Sequence, residues 1–266
     1  MIKINIDELP LKEENGHQTY LDRYKCYPPP LFIIFTSILQ VMMFVYYTLV
    51  VTSSEELLSS PLIYRPDKRS ELWRFATYGT LHAGWIHLSF NILVQVLVGL
   101  PLEMVHGSLR IGFLYLVGII AGSLGTSVFD ADVYLVGASG GVYALLAAHL
   151  ANVLINYNIM QFACLRLLAV AFVATTDIGF AVYECFTGVM IGLPVSYIAH
   201  FTGVLSGVTL GIVILKNFSQ NTHDQLLWWI SLGTFTACLF FAIIFNILHP
   251  FPYLGIGQIL HIYGQR

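Results

Sequence analysis

The sequence carries little charge. Of its 266 residues, only 10% are Asp, Glu, Lys or Arg, whereas 57% are hydrophobic. Soluble globular domains carry about 25% charged residues, so this composition excludes a soluble protein of this size and indicates an integral membrane protein. The net charge of −3 gives no basic surface for nucleic acid. We therefore expect a lipid bilayer as the surroundings and no nucleic-acid partner.

Cysteine is scarce and dispersed. The chain has four cysteines without a CxxC pair, at Cys26, Cys164, Cys185 and Cys238. This spacing predicts neither a disulfide framework nor a thiolate metal site. The sequence also contains no HExxH zinc motif. We expect the protein to need neither a metal nor another cofactor.

Seven apolar runs of about twenty residues alternate with short polar segments, and each is long enough to cross the hydrocarbon core as a helix. They cover residues 31–52, 86–105, 111–129, 138–156, 163–181, 195–215 and 226–248. Residues 1–30, which end in three prolines, are expected to form a cytosolic tail. The predicted fold class is an all-α polytopic membrane protein. Its organisation is a six-span core over 31–216, a seventh span over 226–249 and a short lumenal or extracellular tail over 250–266.

The charges between the runs indicate an orientation. With a cytosolic N terminus, the short inner connections hold Arg110, Arg166 and Lys216. The short outer connections then hold no Lys or Arg, and their charged residues are all acidic, which satisfies the positive-inside rule. These are Asp130, Asp132 and Glu184. The long first loop, residues 53–85, opposes this orientation because its four basic residues would face outward. We expect the two termini to lie on opposite sides of the membrane.

A serine stands at the start of the fourth run, in the segment Gly137-Ala138-Ser139-Gly140. A serine hydroxyl attacks an amide only if a base takes its proton, and histidine, with an unperturbed pKa of about 6.5, is the usual base at neutral pH. His200 is the candidate base. At about 1.5 Å per residue it lies roughly 8 Å below the outer end of the sixth run, which is the depth expected for Ser139. No carboxylate lies in the fourth or sixth run, so the sequence predicts a Ser/His dyad.

The second run offers donors for the negative charge of a tetrahedral intermediate. His87 and Asn91 are i, i+4 neighbours and project from one helical face. With the backbone N–H of Ser139 they could form an oxyanion hole, in which each donor is worth about 10² to 10³ in rate. Tyr143, one turn after the serine, could stack against the imidazole of the base. Asp177 lies near the end of the fifth run, where its carboxylate can reach the polar membrane interface. The interface suffices to explain a charged residue at this position.

Glycines recur every fourth residue in the sixth run, at Gly203, Gly207 and Gly211. Small residues let membrane helices approach closely. A hydroxyl-to-imidazole hydrogen bond of about 2.6–3.2 Å demands such an approach. His200 precedes Gly203 by three residues and lies on the same helical face as these glycines. Gly140 would allow the same close approach from the fourth run.

Each of these features has a simpler explanation when taken alone. Glycines around a serine are common in helix packing, and membrane histidines and asparagines often only pair with one another. Their joint occurrence favours catalysis. A zinc site built from His82, His87 and His106 is the alternative chemistry, but no carboxylate set accompanies it. The alternative functions are a non-catalytic protein that binds or escorts membrane proteins and a seven-span transporter, which the lack of paired intramembrane charges disfavours.

Taken in order, the motifs resemble those of rhomboid intramembrane serine proteases of the animal secretase type, which have six core spans and a seventh at the C terminus. The resemblance covers about residues 70–250, and although each motif is short, the ordered set is specific. The matching motifs are Trp73-Arg74, His82, His87-x3-Asn91, Glu103-x3-Gly107, Gly137-x-Ser139-Gly140 with Tyr143, and Ala199-His200-x2-Gly203-x3-Gly207.

The resemblance implies a role for each matched residue. Ser139 would be the nucleophile and His200 the base, and the oxyanion would be bound by His87, Asn91 and the amide of Ser139. Supporting positions would be Tyr143, Gly137, Gly140 and Gly203. Trp73 would hold the first loop partly in the outer leaflet, and Glu103 would join a structural hydrogen-bond network. Inactive relatives lose the serine or carry proline before it, whereas Ala138 precedes an intact serine here.

The resemblance also implies a substrate and a place. The expected substrates are single-pass membrane proteins, such as growth-factor precursors, cut within or beside their transmembrane helix. The expected location is the secretory pathway or the plasma membrane, with the active site facing the lumen or the extracellular side.

Overall fold

The structure, a computed structural model, describes residues 20–50, 54–187, 196–218 and 222–249. Within these ranges it is helical, with no strand and one isolated antiparallel bridge between Tyr64 and Leu135. The α-helices are α1 (Leu31–Leu49), α2 (Ser54–Ser59), α3 (Arg74–Thr77), α4 (Trp85–Val94), α5 (Leu100–His106), α6 (Ser108–Phe129), α7 (Ser139–Ile155), α8 (Ala163–Thr187), α9 (Tyr197–Ile214) and α10 (Thr222–Leu248). A π-helical segment, Gln95–Gly99, joins α4 to α5. The predicted tail over 250–266 and residues 1–19 lie outside the described residues.

The prediction of an all-α polytopic membrane protein is confirmed. Five of the described helices are long and apolar enough to cross a membrane, namely α1, the continuous helix Trp85–His106, α6, α9 and, over Gln225–Leu248, α10. The helix that begins at Ser139 is a shorter apolar helix of 17 residues. The prediction for the fifth run is wrong at its end, because α8 continues to Thr187. Asp177 therefore lies ten residues before the end of the helix, and Glu184 lies in its last turn instead of in a connection.

The glycine strip of α9 packs against α7, which also contacts α6. A Cβ atom added to Gly203 would lie 2.5 Å from the carbonyl oxygen of Gly140. In the same way Gly207 faces Ala144 and Gly211 faces Ala148, so that partners differ by 63 positions in each pair. The prediction that small residues let these two helices approach closely is confirmed.

Glu103 anchors the first span from the inner end of α5. Its two carboxylate oxygens accept the backbone N–H groups of Phe32 and Ile33 at 2.8 and 2.9 Å, and Ser108 donates its hydroxyl to the same carboxylate at 2.5 Å. The first N–H groups of a helix lack partners within the helix, and the positive end of the helix dipole favours an anion there. The buried carboxylate thus caps α1, and the network expected for Glu103 is confirmed.

Arg74 organises the first loop. Its buried guanidinium donates to the carbonyl oxygens of Ser60 and Ile63, both at 2.8 Å, and to the carboxylate of Glu71 at 2.7 Å. The hydrogen bond from Arg74 and, to a smaller extent, that from Lys68 hold the pKa of the Glu71 carboxyl below its usual value. These bonds hold together the short helical turns and irregular segments of the loop.

The first loop in turn holds the segment that leads into α7. Tyr64 and Leu135 exchange two backbone hydrogen bonds of 3.2 Å, and the carbonyl oxygen of Tyr78 accepts the N–H of Gly137 at 3.1 Å. The loop therefore fixes the point at which α7 begins. Trp73 donates its indole N–H to Pro61 and remains 53% exposed. Its insertion into the outer leaflet stays a prediction.

Candidate active site

Gly137 shapes the turn that precedes Ser139. Its φ of +118° lies in the region that side-chain-bearing residues rarely adopt. A Cβ atom at this position would also lie 2.5 Å from Cε1 of the His87 ring. Only glycine satisfies both conditions, so the ring of His87 stands directly over the turn at the N terminus of α7.

The packing register of α7 and α9 brings His200 to the level of this turn. Partners along the glycine strip are 63 positions apart, and this register, extended by three residues, sets His200 opposite Gly137, two residues before the serine. The imidazole is buried and stacks on the ring of Tyr143, with centroids 4.4 Å apart and planes 21° apart. Among the described residues, its Nε2 has no hydrogen-bond partner. A buried nitrogen of this kind is available to take a proton.

A third side chain, which the sequence reasoning left without a function, reaches the imidazole. Asp177 of α8 places Oδ2 3.2 Å from Nδ1 of His200 and 2.5 Å from the hydroxyl of Tyr143. The membrane interface alone therefore does not explain Asp177, because its carboxylate has two partners within the site. The informative signal was the carboxylate itself, since an ionisable residue inside an apolar run marks a functional site by default.

His87 and Asn91 lie on the face of α4 that meets this turn. The Nε2 of His87 is buried and has no partner among the described residues. Asn91 is 2% exposed, and its side-chain amide donates to the carbonyl oxygen of His87 in its own helix at 2.8 Å. An amide group has two N–H donors, so the second remains for another acceptor. These groups are suited to binding an anion next to the turn.

His82 supports the turn from the first loop. Its Nε2 accepts the backbone N–H of Ala138 at 3.5 Å, and its ring packs edge-on against that of His87 with centroids 5.3 Å apart. Burial, with a smaller contribution from His87, lowers the pKa of His82 to about 3. His82 is therefore neutral at physiological pH and able to accept this bond.

The alternative zinc site is not assembled. His106 lies at the inner end of the helices, where its Nδ1 accepts the backbone N–H of Lys216 at 3.0 Å and its Nε2 is 3.5 Å from the hydroxyl of Tyr20. It is remote from His82 and His87, whose rings lie next to the turn that precedes α7. In the part of the chain that the structure describes, no group of three His, Cys, Asp or Glu side chains is placed to hold a metal ion.

Residues 69–217, which include every residue of this site, match the Rhomboid domain family. The chain is 43% identical over 242 residues to Rhomboid-related protein 2 of Mus musculus, a match that covers 88% of this chain and 80% of that protein. It is 43% identical over 248 residues to Rhomboid-related protein 3 of Homo sapiens, which covers 89% of this chain and 61% of the relative. It is also 36% identical over 219 residues to Inactive rhomboid-related protein 2 of Caenorhabditis elegans, with coverage of 80% and 62%.

Proposed function

Since the chain belongs to the rhomboid family, we propose that it is an intramembrane serine endopeptidase that cleaves single-pass membrane proteins within or next to their transmembrane helix. The observation that carries this proposal is the register of α7 and α9, which puts a buried imidazole with a free Nε2 level with the turn at Ser139. Release of the ectodomain of a co-expressed substrate, compared between wild type and Ser139→Ala, tests it.

The proposed reaction proceeds in two steps. His200 Nε2 takes the proton of the Ser139 hydroxyl while Oγ attacks the carbonyl carbon of the scissile amide. The resulting tetrahedral intermediate collapses as the imidazolium gives its proton to the leaving amine, which departs and leaves an acyl ester on the serine. In the second step His200 deprotonates a water molecule, whose oxygen attacks the ester carbon. The second tetrahedral intermediate collapses as the imidazolium gives that proton to Oγ, which releases the carboxylic acid product and restores the free serine. The substrate helix must unwind first, because a helical backbone engages its carbonyl groups in hydrogen bonds.

The oxyanion formed in each step needs donors that are already in place. The N–H groups at the start of a helix and its dipole favour an anion, and Ser139 is the first residue of α7. We assign the remaining donors to His87 Nε2 and to the second amide N–H of Asn91. Tyr143 supports the base through the ring stack.

Asn91→Ala is expected to lower kcat about 100- to 1,000-fold, because it removes one oxyanion donor. The fold should persist, since the described bond of this side chain is to the carbonyl of its own helix. Turnover of a purified single-pass substrate and the thermal unfolding midpoint of the purified protein in detergent check both statements. Unchanged turnover would remove Asn91 from the oxyanion hole.

We further propose a cytosolic N terminus and an active site that opens toward the lumen or the extracellular side. The basic residues of the short connections support this orientation. A glycosylation sequon added after residue 266 is expected to receive an endoglycosidase-sensitive glycan in cells, whereas the natural sequon at Asn217 should stay unmodified. A glycan on Asn217, with none on the sequon added after residue 266, would contradict this orientation and support the opposite one.

The alternative of a non-catalytic escort protein has one observation in its favour, the similarity to a relative named inactive. Against it, this chain keeps the serine, the histidine and the glycine contacts that bring their helices together. Ser139→Ala separates the two functions, because an escort protein would keep its effect on clients without the hydroxyl.

A further inference from the structure

Asp177 occupies a position that the two-residue mechanism does not require. A carboxylate within a membrane helix is costly unless it is paired. The Asp177 side chain is 22% exposed. One of its oxygens, Oδ2, contacts two groups, the hydroxyl of Tyr143 at 2.5 Å and Nδ1 of His200 at 3.2 Å. Both groups belong to the site described above.

We propose that Asp177 is a positioning residue of the active site, whose carboxylate accepts the Nδ1–H of His200 and holds the imidazole in the tautomer that frees Nε2 for Ser139. This inference rests on the proposed protease function. It adds a third group to the predicted dyad, in the order found where a carboxylate orients the histidine of a serine hydrolase.

The surroundings of the imidazole favour this assignment. Tyr143 covers one face of the ring, Tyr197 approaches edge-on with centroids 6.1 Å apart, and the carboxylate stands at Nδ1. The ring N–H does not point straight at Oδ2, so the present contact is one of ion-pair distance and not a formed hydrogen bond. The proposed function of Asp177 requires the Nδ1–H to turn toward Oδ2. The carboxylate also opposes the positive charge that the imidazole gains as it takes the serine proton.

Tyr143 fixes the carboxylate in turn. Its hydroxyl donates to the same Oδ2 that faces the imidazole, so one tyrosine both stacks on the base and holds the group that orients it. The three members of the series come from three helices, α7, α8 and α9. Since Asp177 belongs to α8 and Tyr143 to α7, the orientation of the base depends on α8 staying against α7.

A purely structural role makes a different prediction. If Asp177 only tied α8 to α7 through Tyr143, its loss would lower stability and substrate affinity, and removal of the tyrosine hydroxyl would have the same effect. If it positions the base, its loss lowers kcat while KM stays constant.

The experiment compares kcat and KM of wild type, Ser139→Ala, Asp177→Asn and Tyr143→Phe on a purified single-pass substrate. Asp177→Asn is expected to lower kcat about 10- to 100-fold with KM within about twofold of wild type, because it removes the charge but keeps the shape. Tyr143→Phe keeps the stack and the carboxylate and should lose less. The matched control on α8 is Thr176→Val, whose hydroxyl bonds to Phe172 in its own helix and whose loss should leave both constants unchanged.

Three results overturn the inference: an Asp177→Asn enzyme with wild-type kcat, a loss confined to KM, or an equal loss in Tyr143→Phe. If Asp177→Asn does not fold, Asp177→Ala assayed with and without added formate decides, since a small carboxylate should restore kcat and no restoration contradicts the proposal. If the Ser139→Ala variant cleaves the substrate as wild type does, the proposed protease function itself is contradicted. If cleavage requires Ser139 but is unaffected by Asp177→Asn, only this inference is contradicted.

Discussion

Ser139→Ala is expected to abolish release of a tagged ectodomain from a co-expressed single-pass membrane protein. Without the hydroxyl no acyl ester forms, and loss of the nucleophile of a serine hydrolase costs more than about 10³-fold in rate. His200→Ala should have nearly the same effect, because the two residues act as a unit. The measurement is the amount of soluble ectodomain in the medium, normalised to the expression of enzyme and substrate.

A matched control exists in the same membrane core. Ser206 of α9 is buried and its hydroxyl donates to the carbonyl oxygen of Gly203 in its own helix at 2.9 Å, so Ser206→Ala should release ectodomain like wild type. The Ser139→Ala protein should still be recovered with the intact substrate. Ectodomain release that persists without the Ser139 hydroxyl would favour the escort alternative, in which another protease cuts the client.

Gly203→Ala is expected to lower kcat by about 100-fold, although the residue touches no reacting atom. The added Cβ would lie 2.5 Å from the carbonyl oxygen of Gly140, and a backbone atom cannot move aside as a flexible side chain would. The α9 helix must therefore shift away from α7, and a misplacement of about 1 Å between catalytic groups costs about 10² in rate. Overpacking of this kind also destabilises a fold by about 1–3 kcal/mol.

Gly233→Ala is the control for this change. It is also a helical glycine in a membrane-length helix, α10, but an added Cβ there meets nothing within 4 Å. Its kcat should match wild type, and its thermal unfolding midpoint should not fall. If the two glycine variants behaved alike in both assays, close approach of α7 and α9 would not be what assembles the site.

The fold was predictable because the membrane leaves few choices. Apolar runs of about twenty residues must form helices in lipid, and the runs that start at residues 31, 111 and 138 correspond to helices that begin within a few residues of those positions. The end of α8 was not predictable in this way. The apolar run ends before Glu184, so a criterion based on hydrophobicity ended the helix at residue 181, whereas the structure continues it through Glu184 to Thr187.

The site was predictable to the extent that it follows helical periodicity. Spacings of three and four residues put His87 with Asn91, and His200 with Gly203, on common faces, and the glycine strip predicted which helices meet. The contact between Asp177 and His200 joins α8 to α9, and no spacing within one helix encodes it. The anchoring of the turn before Ser139 by Tyr64 and Tyr78 was equally out of reach, since these bonds use backbone groups of an irregular loop.

The measurement that most directly tests a serine activated by a histidine is the reaction of the purified protein with a fluorophosphonate probe, with the modified residue located by mass spectrometry. Wild type is expected to form a single adduct on Ser139, and adduct formation should be nearly abolished in His200→Ala while the unfolding midpoint is kept. An adduct that forms equally fast without His200, or that resides on another residue, would contradict activation of Ser139 by His200.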